Sequence, residues 1–425
     1  MLENLYYTST NTKEDKLYFL KISFIGILLS GLWCVFIKAT PFSDFEYYYN
    51  LAIEISQGKP WGDTYTSVGY PIILGGIFKL FGASVRNAQI FNLILTCINY
   101  FLVYKILGRL SIEEKTKKII FTIFVFFPLN IYYNILVGTE ILFTNLILWC
   151  TYIYLLDFKG KYLILGIFTA LNTMVKPFYI LYAFLIFVVN LISTGKFIDS
   201  FKKAITIFIA SIILLSPWIY RNSKLTGELT WVSNNGGIVL YINNNSQNNH
   251  GSWMPAEDVE NSIVKTEEYI NSDMTRKNKM LNSAAKEWIK SHPKDFINLG
   301  LLRLKVTYAG AGDSYYTTYD SVLSDSAKYY IFIFSSAIKA LIFYPGILFI
   351  LIYSIYVLYC IFTRNIHLID KFILYSLVLF YMITCVYFLT EGQPRYSFPL
   401  IFTMTYLSIY FYKKLFYILK RGSNL

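Results

Sequence analysis

The chain has 425 residues, 55% of them hydrophobic and 15% charged, with a mean hydropathy of +0.46 and a formal net charge of +12. Its apolar residues come in long blocks, which excludes an ordinary soluble globule and reads as an all-α polytopic membrane protein. The basic excess follows the positive-inside rule, so it is no argument for nucleic acid.

Aromatic residues make up 19% of the chain, with 38 Tyr and 35 Phe, more than interfacial belts require. Part of them must pack inside the bundle or line a cavity, although drift toward AT-rich codons would enrich the same residues. Cys34, Cys97, Cys150, Cys360 and Cys385 fall in apolar runs without a CxxC pair, which indicates neither a metal site nor a disulfide framework. Walker-type and GxGxxG loops are missing, and His250, His292 and His367 have neither metal-ligand nor triad spacing.

A membrane-spanning helix needs about 20 apolar residues, and ten segments approach that length. They lie near 17–38, 86–106, 118–136, 138–156, 161–175, 177–193, 203–219, 340–362, 371–389 and 398–416. No small-residue cleavage site follows the first, so it reads as a retained span and not a signal peptide. Just beyond it stands Pro41-Phe42-Ser43-Asp44-Phe45-Glu46-Tyr47-Tyr48-Tyr49. A carboxylate at the mouth of a membrane bundle is expensive unless hydrated, paired or used. Asp44 and Glu46 point about 200° apart on a helix, so one of them faces a cavity. Asp44 has the chemistry of a general base; an N-cap by Ser43 or Asp44 to a helix over 45–57 explains the same residues. The stretch 69–82, from Gly69-Tyr70-Pro71 onward, is too short and glycine-rich to span and reads as an interfacial helix.

Further along, Glu140 opens the fourth span, where the helix dipole alone accounts for a carboxylate. Lys176 precedes Pro177 at the junction of the two short spans, and Arg221 ends the seventh in Pro217-Trp218-Ile219-Tyr220-Arg221-Asn222. Both are candidate phosphate partners, or cations that snorkel to headgroups. Residues 220–339 then form a long hydrophilic segment. Its Asn-rich patch Asn243 to Asn249 reads as a surface loop, 257–292 as one or two amphipathic helices, and 294–308 as a further helix opened by Pro293. Between the last two spans, proline flanks Arg395 in Gln393-Pro394-Arg395-Tyr396-Ser397-Phe398-Pro399, with Glu391 nearby; rigid backbone around a charge suggests fixed geometry.

Lys and Arg concentrate in the connections on the amino-terminal side of the bundle, whereas the short connections opposite hold only Lys38, Lys59, Lys79, Arg86, Lys176 and Arg395. Both termini are therefore expected in the cytoplasm, with 39–85 and 220–339 outside. The organisation expected is an amino-terminal transmembrane module over 1–219 that includes the outer loop 39–85, a small, mostly helical extracytoplasmic domain over 220–339, and a carboxy-terminal transmembrane module over 340–425.

Several pieces together resemble one family. Ser43-Asp44 beyond the first span, Gly69-Tyr70-Pro71, the Pro217 to Asn222 motif, Asn234-Asn235-Gly236-Gly237 with Asn243-Asn244-Asn245, and Arg395-Tyr396-Ser397-Phe398-Pro399 look like membrane glycosyltransferases of the GT-C fold. The pattern is similar to the bacterial branch that groups with protein O-mannosyltransferases and the lipid A aminoarabinose transferase. The resemblance implies a polyprenyl-phosphate sugar donor, inverting transfer on the extracytoplasmic face of the cell membrane, and an outer-loop aspartate as base, which Asp44 matches. It makes Arg221, Arg395 and Lys176 the candidate ligands of the donor phosphate. Candidate donor or acceptor contacts are Glu46, Tyr47, Tyr70, Glu140, Asn235 and Tyr396.

The chain departs from the family where Phe45-Glu46-Tyr47 and Thr66-Ser67-Val68-Gly69 replace its usual basic and acidic-basic positions. No cofactor is demanded. A divalent metal is left open by the Asp44-Phe45-Glu46 spacing. The partners implied are a polyprenyl-phosphate-linked sugar, an envelope glycan, lipid or protein acceptor, and membrane lipids. A surface-polysaccharide polymerase or ligase, and a transporter or flippase of a lipid-linked glycan, are the competing readings.

Overall fold

The computed structural model describes residues 12–310 and 312–422, and every regular element among them is helical. The first, α1 (Lys13–Ile37), opens on a reciprocal capping box in which Thr12 and Asp15 each satisfy the other's backbone N–H. Leu20, Phe24, Val35 and Phe36 leave its outer face exposed and apolar, as a helix against lipid requires. α2 (Asp44–Ser56) and α3 (Gly69–Phe81) form a helical pair in the first loop. α4 (Val85–Leu107) packs on α1, and α5 (Glu114–Val125) leads to α6 (Pro128–Tyr132) across a 53° bend. Pro128 lacks the N–H that would continue the ladder. α7 (Glu140–Leu155), α8 (Lys161–Val175), α9 (Tyr182–Thr194) and α10 (Phe197–Thr226) complete the first half.

Among the described residues, six helical stretches are long and apolar enough to cross a membrane: Lys13–Ile37, Val85–Leu107, Pro177–Thr194, Phe197–Thr226, Asp325–Phe362 and Lys371–Leu389. The bent pair makes seven if it counts as one span. The count of about ten expected from the sequence is therefore not established. α7 and α8 have 16 and 15 residues, about 24 and 22 Å at 1.5 Å per residue, short of a hydrocarbon core of about 30 Å.

The segment after α10 folds as α11 (Gly236–Asn243), α12 (Glu267–Asn271), α13 (Met274–Ser291), α14 (Pro293–Tyr308) and α15 (Tyr315–Thr318). Tyr241, Ile242, Met254, Leu281 and Ala285 give it a small core of its own. α16 (Asp325–Phe362) then runs for 38 residues, about 57 Å, longer than a hydrocarbon core of about 30 Å. α17 (Lys371–Leu389) and α18 (Ile401–Gly422) close the bundle.

The Asn-rich patch is not a surface loop. Asn243, Asn244, Asn245 and Asn248 are buried, and the side-chain amides of Asn243, Asn245 and Asn248 donate to Val239, Tyr241 and Ile242 carbonyls at 2.9 to 3.0 Å. These bonds fold the asparagine side chains back onto the last turns of α11 (Gly236–Asn243), so they cap its C-terminal end. Arg303 of α14, fully buried, joins this cap to the bundle: it donates to the Phe388 carbonyl at 2.7 Å, to Asn244 Oδ1 at 2.8 Å, and to the Asn243 carbonyl. Arg303→Ala should orphan two buried carbonyls, at a cost of about 2–5 kcal/mol. Trypsin should then cleave within 257–292 faster, with helical circular dichroism unchanged; unaltered cleavage would show that Arg303 does not hold the segment in place.

Candidate active site

Asp44 is the first residue of α2. The N-cap explanation does not hold, because Ser43 makes no side-chain cap bond and sits at φ +51, ψ −129, away from the extended conformation in which a cap side chain reaches the N–H groups. A non-glycine residue at this φ is strained. The strain falls next to the carboxylate, which is spent on tertiary structure: Asp44 Oδ2 accepts an ion-paired hydrogen bond from Arg395 Nη2. Asp44's side chain is 51% exposed and that of Arg395 only 8%, so a buried cation holds an accessible anion. Burial pushes the Asp44 pKa up, but the attraction of Arg395, aided by Lys176, outweighs it and leaves the carboxyl below its usual range.

Arg395 owes its placement to the short link between α17 and α18. Gln393 is extended, as a residue before proline must be, and Pro394 opens a 3₁₀ turn over Pro394–Leu400. The guanidinium donates through Nε to Gln393 Oε1 at 2.6 Å and lies 3.9 Å from Glu140 Oε1. Phe45, Tyr316 and Tyr396 surround it at 5.3 to 5.6 Å from ring centroids, which suits a weakly hydrated planar cation. Glu140 is buried at the start of α7. A Cβ on Gly138 would stand 2.5 Å from Glu140 Oε2 and 2.9 Å from the Phe45 ring, so only glycine allows this approach.

Lys176 sits where Pro177 ends α8; its extended backbone (φ −135, ψ 104) follows from the proline after it. Its ammonium lies 5.5 Å from the Tyr396 ring and, among the described residues, makes no ion pair within 4 Å. Burial lowers its pKa, with Glu140 and Asp44 opposing that shift and Arg395 adding to it. Tyr396 stacks on Tyr387 at 4.8 Å and donates to Glu391 Oε2 at 2.8 Å. Glu391 also accepts from Gln393 at 2.7 Å. Burial raises the Glu391 pKa despite these two bonds and the charge of Arg395. Tyr70 is fully buried, edge-on to Tyr48 at 6.0 Å.

The remaining candidates lie outside this cluster. Arg221 stacks on Trp218 and gives its guanidinium to the Trp61, Gly62 and Asp63 carbonyls, the Trp61 and Asp63 bonds at 3.2 and 3.3 Å; it buttresses the first loop. A 630 Å³ cavity opens beside it, with Glu54, Lys59, Asp63, Asp273 and Thr275 in its walls and Asp44 not among them. Glu46 and Tyr47 are exposed on α2; Glu46 points away from Asp44, whereas Tyr47 lies three residues on, on Asp44's face. Asn235 starts α11 and accepts from Ser233 at 3.2 Å. Among the described residues no three His, Cys, Asp or Glu side chains gather as a metal-binding group; Arg395 is the counter-charge that Asp44 and Glu140 share.

Sequence reasoning noted Glu391 beside Arg395 without giving it a role, and passed over Gln393, which accepts from Arg395. Tyr316 left no local signal. Neither did the buried Lys339–Asp313 pair, at 2.7 Å, which fixes the chain before Tyr316. Lys339 also donates to Thr307 O at 2.9 Å and Pro394 O at 3.5 Å, next to Arg395. Burial raises the Asp313 pKa to about 6, against the pull of Lys339.

No protein-family model matches the sequence, and comparison with curated proteins gives no match. Among solved structures, the chain is similar to the archaeal oligosaccharyltransferase AglB from Archaeoglobus fulgidus in complex with an inhibitory peptide and a dolichol-phosphate. The TM-score is 0.51 at 15% identity, over 97% of this chain and 52% of that one. The chain thus spans about half the length of that protein. The likeness is one of fold, GT-C, and it does not show the bacterial O-mannosyltransferase and aminoarabinose transferase branch expected from the sequence.

Proposed function

We propose that the chain is an integral-membrane glycosyltransferase that moves a sugar from a polyprenyl-phosphate donor to an envelope acceptor, with inversion, on the extracytoplasmic face of the cell membrane. The supporting observation is the arrangement of charge: Asp44 is accessible and kept ionised by buried Arg395, and Lys176 stands beside the pair without an ion-pair partner among the described residues. Asp44 Oδ1 takes no part in the bond to Arg395 and is the atom offered to substrate. It accepts the proton of the acceptor hydroxyl as that oxygen bonds to the anomeric carbon. The bond from that carbon to the phosphate oxygen breaks, and its electron pair stays on the phosphate. Lys176 faces the negative charge that develops there, in a site where burial strengthens the attraction.

The fold likeness supports a lipid-phosphate donor, since AglB was solved with a dolichol-phosphate. The charge distribution supports the side. Asp15–Lys118 and Glu113–Lys413 pairs mark the opposite end of the bundle, where the Lys-rich connections lie. On this reading 220–339 is an extracytoplasmic domain set between two transmembrane modules, 1–219 and 340–425. In membranes that hold the chain, a polyprenyl-phosphate donor labelled in its sugar should pass label to an acceptor fraction, with release of an equal amount of polyprenyl phosphate. Label that stays on the lipid would sink the proposal.

A further inference from the structure

The first loop and the segment after α10 enclose a cavity of 430 Å³, within the range of about 300–1,000 Å³ typical of small-molecule sites. Tyr65 comes from the loop and Tyr269 from α12; Asn234, Lys277 and Asn278 supply polar groups, above a floor of Ile238 and Leu281. The polar groups are of both kinds. Asn234 spends its side-chain NH₂ on Thr275 Oγ1 at 3.3 Å and its backbone N–H on Thr64 O at 2.7 Å, which leaves its side-chain oxygen to accept. Asn278 Oδ1 is taken by the Gly237 N–H at 2.6 Å, which leaves its NH₂ to donate. The Lys277 ammonium lies 5.4 Å from the Tyr269 ring.

A phosphate or carboxylate would want donors only, and the Asn234 oxygen would repel it; an ammonium would want acceptors only. A hydroxyl both donates and accepts, and an array of hydroxyls on a ring with an apolar face matches amides set beside tyrosine rings. The first loop that contributes Tyr65 to this cavity also carries Asp44, at the start of α2, so cavity and base share one segment. We infer that this cavity binds one sugar unit of a polyhydroxylated acceptor, its ring face on Tyr65 and Tyr269 and its hydroxyls on Asn234, Asn278 and Lys277. Only the word acceptor rests on the transfer reading; binding of the sugar stands apart from it.

The test is saturation-transfer difference NMR on the purified full chain in lipid nanodiscs, with the methyl glycosides of glucose, galactose, mannose and N-acetylglucosamine as probes. At least one should receive saturation. Tyr65→Ala should weaken its binding about tenfold, as loss of one stacking face would. Tyr65 is 41% exposed, so this variant leaves the fold intact, and Lys277→Gln, also outside the core, should weaken the same probe. Asp44→Asn should leave binding unchanged. Binding of a glycoside to a wild-type chain that transfers no sugar keeps this inference and discards only the transfer reading. No saturation of any of the four glycosides, saturation indifferent to Tyr65, or saturation of tetra-alanine in their place overturns it.

Discussion

Asp44→Asn should abolish sugar transfer while the chain reaches the membrane in normal amount. The loss expected from removing a positioned base is about 10²–10⁴-fold in turnover. Asparagine keeps the shape, and its side-chain oxygen still accepts from Arg395, whose charge Glu140 continues to balance at 3.9 Å; the fold therefore has no reason to fail. The wild-type pH profile carries the same argument with a definite sign. The Asp44 pKa is depressed, chiefly because Arg395 overcomes the cost of burial. A depressed carboxylate is ionised throughout the neutral range, and its contribution is lost only as pH falls through the folded pKa, below the ordinary value of about 3.9. Activity should therefore show no acid limb between pH 5 and 7 from this group. Full transfer by Asp44→Asn would sink the assignment of the base.

Arg395→Met should cost both activity and stability. A planar guanidinium meets Asp44, Gln393 and Glu140 at once and stacks among three rings; no other side chain does all of this. Its removal leaves buried Glu140 without its ion-pair partner, and breaking a buried pair in this way costs about 3–5 kcal/mol. Transfer should fall by more than about 100-fold, the scale expected when a catalytic group loses its position. With Arg395 gone, the burial that raises the Asp44 pKa is no longer outweighed, so the residual activity should titrate at higher pH. The double variant Arg395→Met, Glu140→Gln should recover thermal stability without recovering activity. Recovery of both would mean that Arg395 serves only as a counter-ion.

Much of the helical plan is legible in the amino-acid sequence. The helix expected over 45–57 is α2, the short apolar stretch over 69–82 is helical as α3, and Pro293 opens α14 where its fixed φ suits a first turn. Arg395 stands out because proline flanks it, and the structure shows that Pro394 sets the turn that carries it. Arg221 has equal weight from its position at the end of a span, yet three backbone carbonyls of the first loop occupy it. A span-end arginine looks the same in sequence whether it faces a ligand or a loop. The Asn-rich patch misleads for a related reason: asparagine favours turns and helix caps alike, and only the buried carbonyls of α11 decide between them.

By itself the sequence determined the periodic and local properties: an all-helical membrane bundle, the places where proline ends a helix, and a carboxylate at the mouth of the first span. These follow from hydropathy and backbone sterics, which act over a few residues. Tertiary structure alone decided that Asp44 meets Arg395, 351 positions away, that Lys176 stands beside them, and that Lys339 and Asp313 fix the approach of Tyr316. Such pairings depend on which helix ends converge. A buried charge accepts whatever counter-charge the packing brings within a few ångströms, and no local pattern records which one that is.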